Sequence, residues 1–542
     1  MTEKQPIYIL PENIQRMIGR DAQRNNILAA RMVADTVKTT LGPKGMDKML
    51  VNSIGDITIT NDGVTILSEM EIEHPAAKML VEVAKTQEEA VGDGTTTSVI
   101  IAGKLLENAE KLLDQKIHPT AIVKGYSIAA EKSLQILHTL AKTVSAKDEQ
   151  LLKNVAMTAM TGKSAETAKE HFANIVTKAV KQVMRSDQNG KVIIDMGDIK
   201  IEKQKGGGVE DTELIEGIVL DKERVHTDMP LVVRDAKIAL VDAALEIKAP
   251  ETDTKISISS PDQFQAFLDQ EERILKNMVA KIKQSGANVL MCQKGIDDIA
   301  QYYLAKEGVY ALRRVSKSDM EKLAKAVGAK IISNINELQQ KDLGFAKTVE
   351  DVKRGEEGMT YIRGCRNPKA LTILIRGGTE HVIDEFERAI KDSLGDVIAT
   401  LQEGKVVAGG GAVEIELSQR LRKEVLVQGR EQLAVEQFAD AIESIPRILA
   451  ENAGMEPIDT LTALKARHDH GEKDAGLNLF TGKIENTFRI GIVEPLKIKT
   501  QAVKSASEVA ELILRIDDVI AGSSSRQPHM PPGMGGMPGM DM

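Results

Sequence analysis

Val91-Gly92-Asp93-Gly94-Thr95-Thr96-Thr97-Ser98-Val99 brings anion-binding and metal-binding chemistry to one point of a 542-residue chain. Two glycines let backbone approach a ligand closely, and the carboxylate between them can hold a magnesium ion. The three threonines add hydroxyls and N–H groups, the donors of a phosphate cradle. From Val99 to Leu113 the apolar residues recur with helical period, which sets the threonines at a helix N-terminus, where free N–H groups and the dipole favour phosphate. An ordinary capped helix start is the plainer reading of the same residues, although a cap needs no flanking Gly-Asp-Gly.

Upstream, Ile14 to Thr40 has helical period through Ile18, Ile27, Ala30, Val33 and Val37. It stops at Leu41-Gly42-Pro43-Lys44-Gly45, a breaker that leaves N–H groups free for a phosphate or simply ends the helix. Leu50 to Thr60 reads as a β-hairpin with its turn at Ser53 to Asp56. Two strands alone are marginal in water, so this pair is expected to meet something else, such as a neighbouring chain. Asp62 follows in a tight Asn-Asp-Gly turn. Ala76 to Ala90 and Thr120 to Val144 read as helices, making the first 145 residues mainly helical. Gly162-Lys163-Ser164 invites a Walker A reading, which fails because its first glycine would be Met157; Lys163 then reads as a surface lysine, with phosphate sensing as the alternative.

After the Lys205-Gly206-Gly207-Gly208 junction the character changes. Strands at KIALVDA (237–243), ANVLMC (287–292), VYALRR (309–314) and AKIIS (329–333) alternate with helices over Gly295 to Lys306 and Ser318 to Val327, a βαβ-type block without a phosphate loop. Within it Ala249 to Ile282 opens as a polar, strand-like stretch and then starts a helix at Ser260-Pro261-Asp262-Gln263. Phe264, Phe267, Leu268, Ile274, Leu275, Met278, Val279 and Ile282 recur there at helical spacing, a stripe to be buried in the block or offered to a partner. Helix returns over Thr379 to Leu401, where Asp392 on its own reads as solvated surface. Gly409-Gly410-Gly411 lacks the third glycine of a dinucleotide fingerprint, with Glu414 in its place. Helices are expected over Gln432 to Asn452 and Val503 to Ile520, broken by a Gly476-Leu477-Asn478 loop and by Val493-Glu494-Pro495. His468, His470 and Glu472 have the look of a metal cluster, but their segment reads as a hydrophilic loop. The Gly/Met/Pro-rich end is expected to be disordered.

The length suggests roughly three to four domains. Hydrophobic residues make up 42% and charged residues 28%, with no Trp, as in a soluble helix-rich protein. A net charge of −9 argues against nucleic acid as the partner. Cys292 and Cys365, without a CxxC, support neither a disulfide framework nor a cysteine zinc site. No apolar run reaches membrane-spanning length and MTEKQPIYILPENIQ has no secretory core, so the expected place is the cytoplasm, away from membranes.

The motifs KTTLGPKGMDKML (38–50), ITNDGVTIL (59–67), EHPAAKML (73–80), QEEAVGDGTTTSVI (87–100), LIRGGTEH (374–381), VAGGGAVEIELS (407–418) and IVEPLKIKTQA (492–502) together resemble the group II chaperonins, in particular the archaeal thermosome subunits. The resemblance runs over essentially the whole chain. It implies a multi-domain α+β fold: a mainly α-helical equatorial domain from 1–145 and 404–525, a small α/β intermediate domain from 146–214 and 366–403, and an α/β apical domain over 215–365. It also implies a helical protrusion near 249–282 serving as a built-in lid, with Phe264, Phe267 and Leu268 on it, and a disordered tail over 526–542.

The function implied is an ATP-driven folding machine that encloses unfolded proteins in two stacked rings, usually eightfold, of one subunit type or of paralogues. ATP and Mg2+ are the implied cofactors. Carried over by position, Leu41, Gly42 and Pro43 touch the nucleotide, Asp93 holds magnesium, and Gly92 with Gly94, Thr95, Thr96 and Thr97 binds the phosphates. Asp62 and Asp392 are implied to activate the attacking water and Lys163 to sense the γ-phosphate. Gly409, Gly410, Asn478 and Glu494 are implied to face the nucleoside. Lys391-Asp392-Ser393 departs from the His-Asp-Ala of many relatives but keeps the acid. From the residues alone, a monomeric small-molecule ATPase or kinase with a mobile substrate domain stays open beside this, as does a non-catalytic scaffold.

Overall fold

The computed structural model describes residues 14–163, 166–188, 190–247, 261–354, 357–366 and 368–522. The polar start of the stretch expected as a lid (249–260), Ser164 and the Gly/Met-rich tail fall outside them.

The first described element is strand Ile14–Ile18, which pairs antiparallel with Asp518–Gly522, the last described element. Two expected helices are therefore too long. Gly19, at φ 66, interrupts the helical period after Ile18, and the last helix stops at Leu514. Helices α1 (Arg20–Val37), α2 (Gly63–Glu69), α3 (Pro75–Val91), α4 (Thr95–Asp114) and α5 (Pro119–Leu140) follow. Pro starts α3 and α5, where its missing N–H costs nothing, with His74 and His118 as caps. The helical period of α5 runs on to Val144 in the sequence; in the fold Lys142–Thr143 instead joins a sheet with Lys405–Ala408 and Val493–Pro495. The hairpin between α1 and α2, Lys48–Val51 with Ile57–Thr60, forms as expected.

Helices α6 (Glu149–Met160) and α7 (Lys169–Val183) pack with a three-stranded sheet of Ile199–Lys205, Leu371–Gly377 and Glu213–Ile215. Strands Ile199–Lys205 and Leu371–Gly377 are parallel neighbours from either side of the block between them. That block is a mixed seven-stranded sheet. Its βαβ part is as expected: Val232–Val241, Val289–Cys292 and Tyr310–Leu312 run parallel, with α8 (Pro261–Gln284), α9 (Asp298–Lys306) and α10 (Lys317–Val327) between and beyond. Gly344–Arg354, Glu357–Cys365 and Gly217–Leu220 add an antiparallel half. Strand period divides its core in two. Ile238 and Leu240 pack toward Met320 and Leu323 of α10, while Ala239 and Val241 pack toward Leu275, Val279 and Ile282 of α8.

Helix α11 (Glu380–Glu403) leads back, and α12 (Ala412–Glu424), α13 (Glu431–Asn452), α14 (Pro457–Asp469) and α15 (Leu496–Leu514) follow. Apolar faces of α1, α4 and α5 share one core with those of α12, α13 and α15, so both ends of the chain build a single helical body. The expected Gly476-Leu477-Asn478 loop is instead a strand, Ala475–Asn478, paired with Lys483–Asn486. No helix among the described residues is long and apolar enough to cross a membrane.

Candidate functional site

Gly92-Asp93-Gly94 joins α3 to α4, and both glycines hold the left-handed backbone, φ 94 and 79. A side chain at Gly94 would meet Ile498 Cγ2 at 2.6 Å. Gln87 holds the loop by donating to the Asp93 and Ile498 carbonyls at 2.9 and 3.3 Å. Gly94 caps α4 without a side-chain bond, so the N–H groups of Thr95 to Thr97 open on a cavity of about 410 Å³. Ordinary capping does not explain this start.

Asp62 caps α2 by accepting from Thr65 N–H (2.9 Å) and Oγ1 (2.6 Å), and it accepts from the Thr95 hydroxyl at 3.3 Å. It is thus both the turn residue its sequence suggests and a wall of the cavity. Leu41, Gly42 and Pro43 form another wall, after the short 3₁₀ turn Lys38–Thr40. Asn61 ties that side to the α6 end by donating to the Gly162 carbonyl at 2.8 Å.

Lys163 is not a surface residue. Its ammonium pairs with the Asp392 carboxylate and lies 3.9 Å from Asp93 Oδ1. Burial works against its charge, but Asp392, Asp93 and Asp62 outweigh that and raise its pKa. Asp392, read in isolation as solvated, is 6% exposed, because the face of α11 that carries it packs on α6 and the cradle loop. Burial pushes its carboxyl well above the usual range, with Asp93, Asp62 and Glu88 adding to the shift and Lys163 opposing it. Asp392 stands behind Lys163 and does not itself border the cavity.

Gly410, Asn478 and Glu494 also line the cavity. Gly409 lies behind, packed on Glu494, whose Oε1 is 2.7 Å from where a Cβ would stand. Gly92 also sits behind, 3.4 Å by the same measure from Gly395 of α11. The Asn478 side chain is engaged in its own turn, donating to Glu485 Oε2 at 2.7 Å and accepting from Phe480 N–H at 3.2 Å. Phe264, Phe267 and Leu268 lie elsewhere, on α8, and they are exposed while Leu275, Val279 and Ile282 of the same stripe are buried. The stripe thus divides along the helix.

Several residues of the cavity escaped the sequence reading. Lys499 bridges Glu414 Oε1 (2.8 Å) and Glu494 Oε2 (2.5 Å), and that compensation lets two carboxylates share a buried wall. Asp396, one turn beyond Asp392, borders the cavity at 2% exposure. Its signal was present in Gly395-Asp396, a glycine and an acid in mid-helix, where neither is favoured. His468, expected in a hydrophilic loop, is buried at the end of α14 between Glu416 Oε2 and the Ala475 carbonyl, both at 2.8 Å. Among the described residues no three His, Cys, Asp or Glu side chains form a metal cluster.

Residues 33–524 match the model of the TCP-1/cpn60 chaperonin family. The chain belongs to that family. A thermosome subunit of Methanopyrus kandleri is 59% identical over 95% of this chain and 94% of its own length. Thermosome subunit beta of Archaeoglobus fulgidus is 57% identical, covering 99% and 98%, and subunit alpha of the same organism is 56% identical, covering 98% and 97%. In this chaperonin-family chain the cavity draws its walls from residues 40–62, 93–97, 157–169, 396–414 and 445–499, so both the helical body and the α6, α7 and α11 core contribute to it.

Proposed function

We propose that this chain is a subunit of an ATP-dependent group II chaperonin and that the cavity beside Thr95 binds Mg2+·ATP and hydrolyses it. One observation carries the reading: a single cavity joins a free helix N-terminus, Asp93 and Asp62 to Lys163, with Asp392 behind it. The residues suit the ligand. A volume of about 410 Å³ is within the usual range of small-molecule sites. Free N–H groups at Thr95 to Thr97 match phosphate, while Gly410 and Glu494 match the nucleoside. Asp93 would hold the magnesium, which when bound offsets the phosphate charge.

Asp62 and Asp392 would orient the attacking water and accept its proton. Lys163 holds Asp392 in a buried ion pair, and a γ-phosphate oxygen competing for that ammonium would release the carboxylate. Asp392 rides on α11, which belongs to the core of α6 and α7, whereas Asp62 and Asp93 belong to the helical body of both chain ends. In the equatorial, intermediate and apical division, a rotation of the intermediate part would therefore set the distance from Asp392 to the phosphate and carry the apical part and its lid.

Unfolded protein is the proposed client, taken up by apolar side chains left exposed on α8. The two-stranded hairpin with exposed Met49, Val51 and Ile54 supports association with further copies into two rings, and the alpha and beta relatives in one organism leave room for paralogous partners. Negative-stain imaging with and without ATP, combined with phosphate release, tests the reading. Double rings that change shape with ATP are expected. A 59.0 kDa monomer, or a protein that neither binds nor hydrolyses ATP, would overturn it.

A further inference from the structure

Of the buried carboxyl groups on helix α11, Asp392 and Asp396 stand one turn apart and differ in one respect. Asp392 has a partner in Lys163. Asp396 Oδ1 is buried without a hydrogen-bond partner among the described residues. Proteins seldom leave a buried carboxyl oxygen so, because it forfeits hydration and gains nothing in exchange. The group is not sealed in the core either, since Asp396 borders the cavity with Asp93 and Glu494.

Packing holds it there. A side chain at Gly395 would collide with the Val91 carbonyl, so the glycine lets the α11 backbone lie against the loop that carries Asp93. The Gly395 Cβ position is also 3.2 Å from Gly92 Cα, so Asp396, the next residue of α11, enters the cavity beside the loop that carries Asp93.

A magnesium ion takes one or two carboxylates, fills its other positions with phosphate oxygens and keeps several waters. Asp93 and Asp396 both border the cavity, and among the described residues no three His, Cys, Asp or Glu side chains form a metal cluster, which suits that habit. We propose that Asp396 is the second carboxylate of the cation position: its free oxygen accepts a hydrogen bond from water on a divalent cation held at Asp93, and so strengthens cation binding rather than nucleotide binding. The inference rests on reading the cavity as a Mg2+·nucleotide site.

Mn2+ titrated into the full-length, ADP-saturated protein and followed by the electron paramagnetic resonance of the free ion tests it, beside ADP binding measured in EDTA. Asp396→Asn keeps the size of the side chain and should weaken Mn2+ about 10-fold or more, as the loss of groups around metal ligands does. ADP affinity in EDTA should stay within about twofold, since the cation term is absent there. Asp396→Ser carries the same expectations where the Asn variant does not fold. An unchanged Mn2+ affinity overturns the proposal. A loss of metal-free ADP binding in a folded variant also overturns it, by assigning the carboxyl to the nucleoside. If the unaltered protein binds neither ADP nor Mn2+, it is the nucleotide reading itself that fails.

Discussion

Around Lys163 the chain buries Asp392, Asp396, Glu414 and Lys499 to less than a tenth of their surface, while on α8 it leaves Phe264, Phe267, Leu268 and Ile274 open to solvent. Each region inverts the common partition of apolar and charged groups. The first keeps most of its charge in compensated pairs, Lys163 with Asp392 and Lys499 with Glu414 and Glu494, which fixes where every carboxylate stands. The second has no such internal partner. One region thus holds its charges in fixed positions, and the other leaves an apolar surface open to solvent.

The strongest way to break this contrast is Asp392→Ala. If the buried pair serves hydrolysis, phosphate release should fall about 100-fold or more, the usual weight of a positioned base. Phosphate release at the parental rate would remove Asp392 from the reaction. Gly395→Ala comes next. Helix propensity alone predicts a gain of about 0.5–1 kcal/mol, but the collision with the Val91 carbonyl predicts a loss of about 1–3 kcal/mol in denaturant unfolding. The sign decides whether placement against the cradle loop governs that position.

On the other region, replacing Phe264, Phe267 and Leu268 together by Ser should leave stability within about 0.5 kcal/mol of the parent. Retention of a denatured client, measured by light scattering, should weaken about fivefold, the equivalent of about 1 kcal/mol. A large drop in melting temperature would mean that these side chains are core after all.

The smallest effect concerns pH. Burial, then Asp62 and Asp93, raises the Glu88 carboxyl to about 7 against the pull of Lys163 and Lys391. A carboxyl raised in the fold stabilises it most below its ordinary value near 4.5, and that contribution disappears as pH rises through about 7. Glu88→Gln should flatten the decline in melting temperature across that window in metal-free protein. An unchanged slope would show that the local field of carboxylates is weaker than its geometry implies.

Much of this was legible in the residues. The cradle Gly92-Asp93-Gly94-Thr95 needs only local backbone freedom and the N-terminus of a helix, both written in adjacent positions. The stripe on α8 was equally clear as a period, yet period does not say which half is covered, and Leu275 is buried where Phe264 is not. Ile14–Ile18 fits a helical period but pairs with Asp518–Gly522 in a sheet, a partner some five hundred residues away that no local window contains. Lys163 and Asp392 read as surface residues in isolation for the same reason, because a charged side chain reads as solvated until its counter-ion is known.

What the sequence determined by itself was chemistry of short range: phosphate-type N–H donors, a metal-type carboxylate, caps, breakers and the family its motifs resemble. Only the tertiary structure decided which charges are buried and against what. Burial and pairing depend on distance in space, and α11 reaches the cradle loop through the close approach of Gly395 to Gly92, a contact between residues some three hundred positions apart. That approach makes Asp396 a neighbour of Asp93, a relation that neither residue's own surroundings in the chain contain.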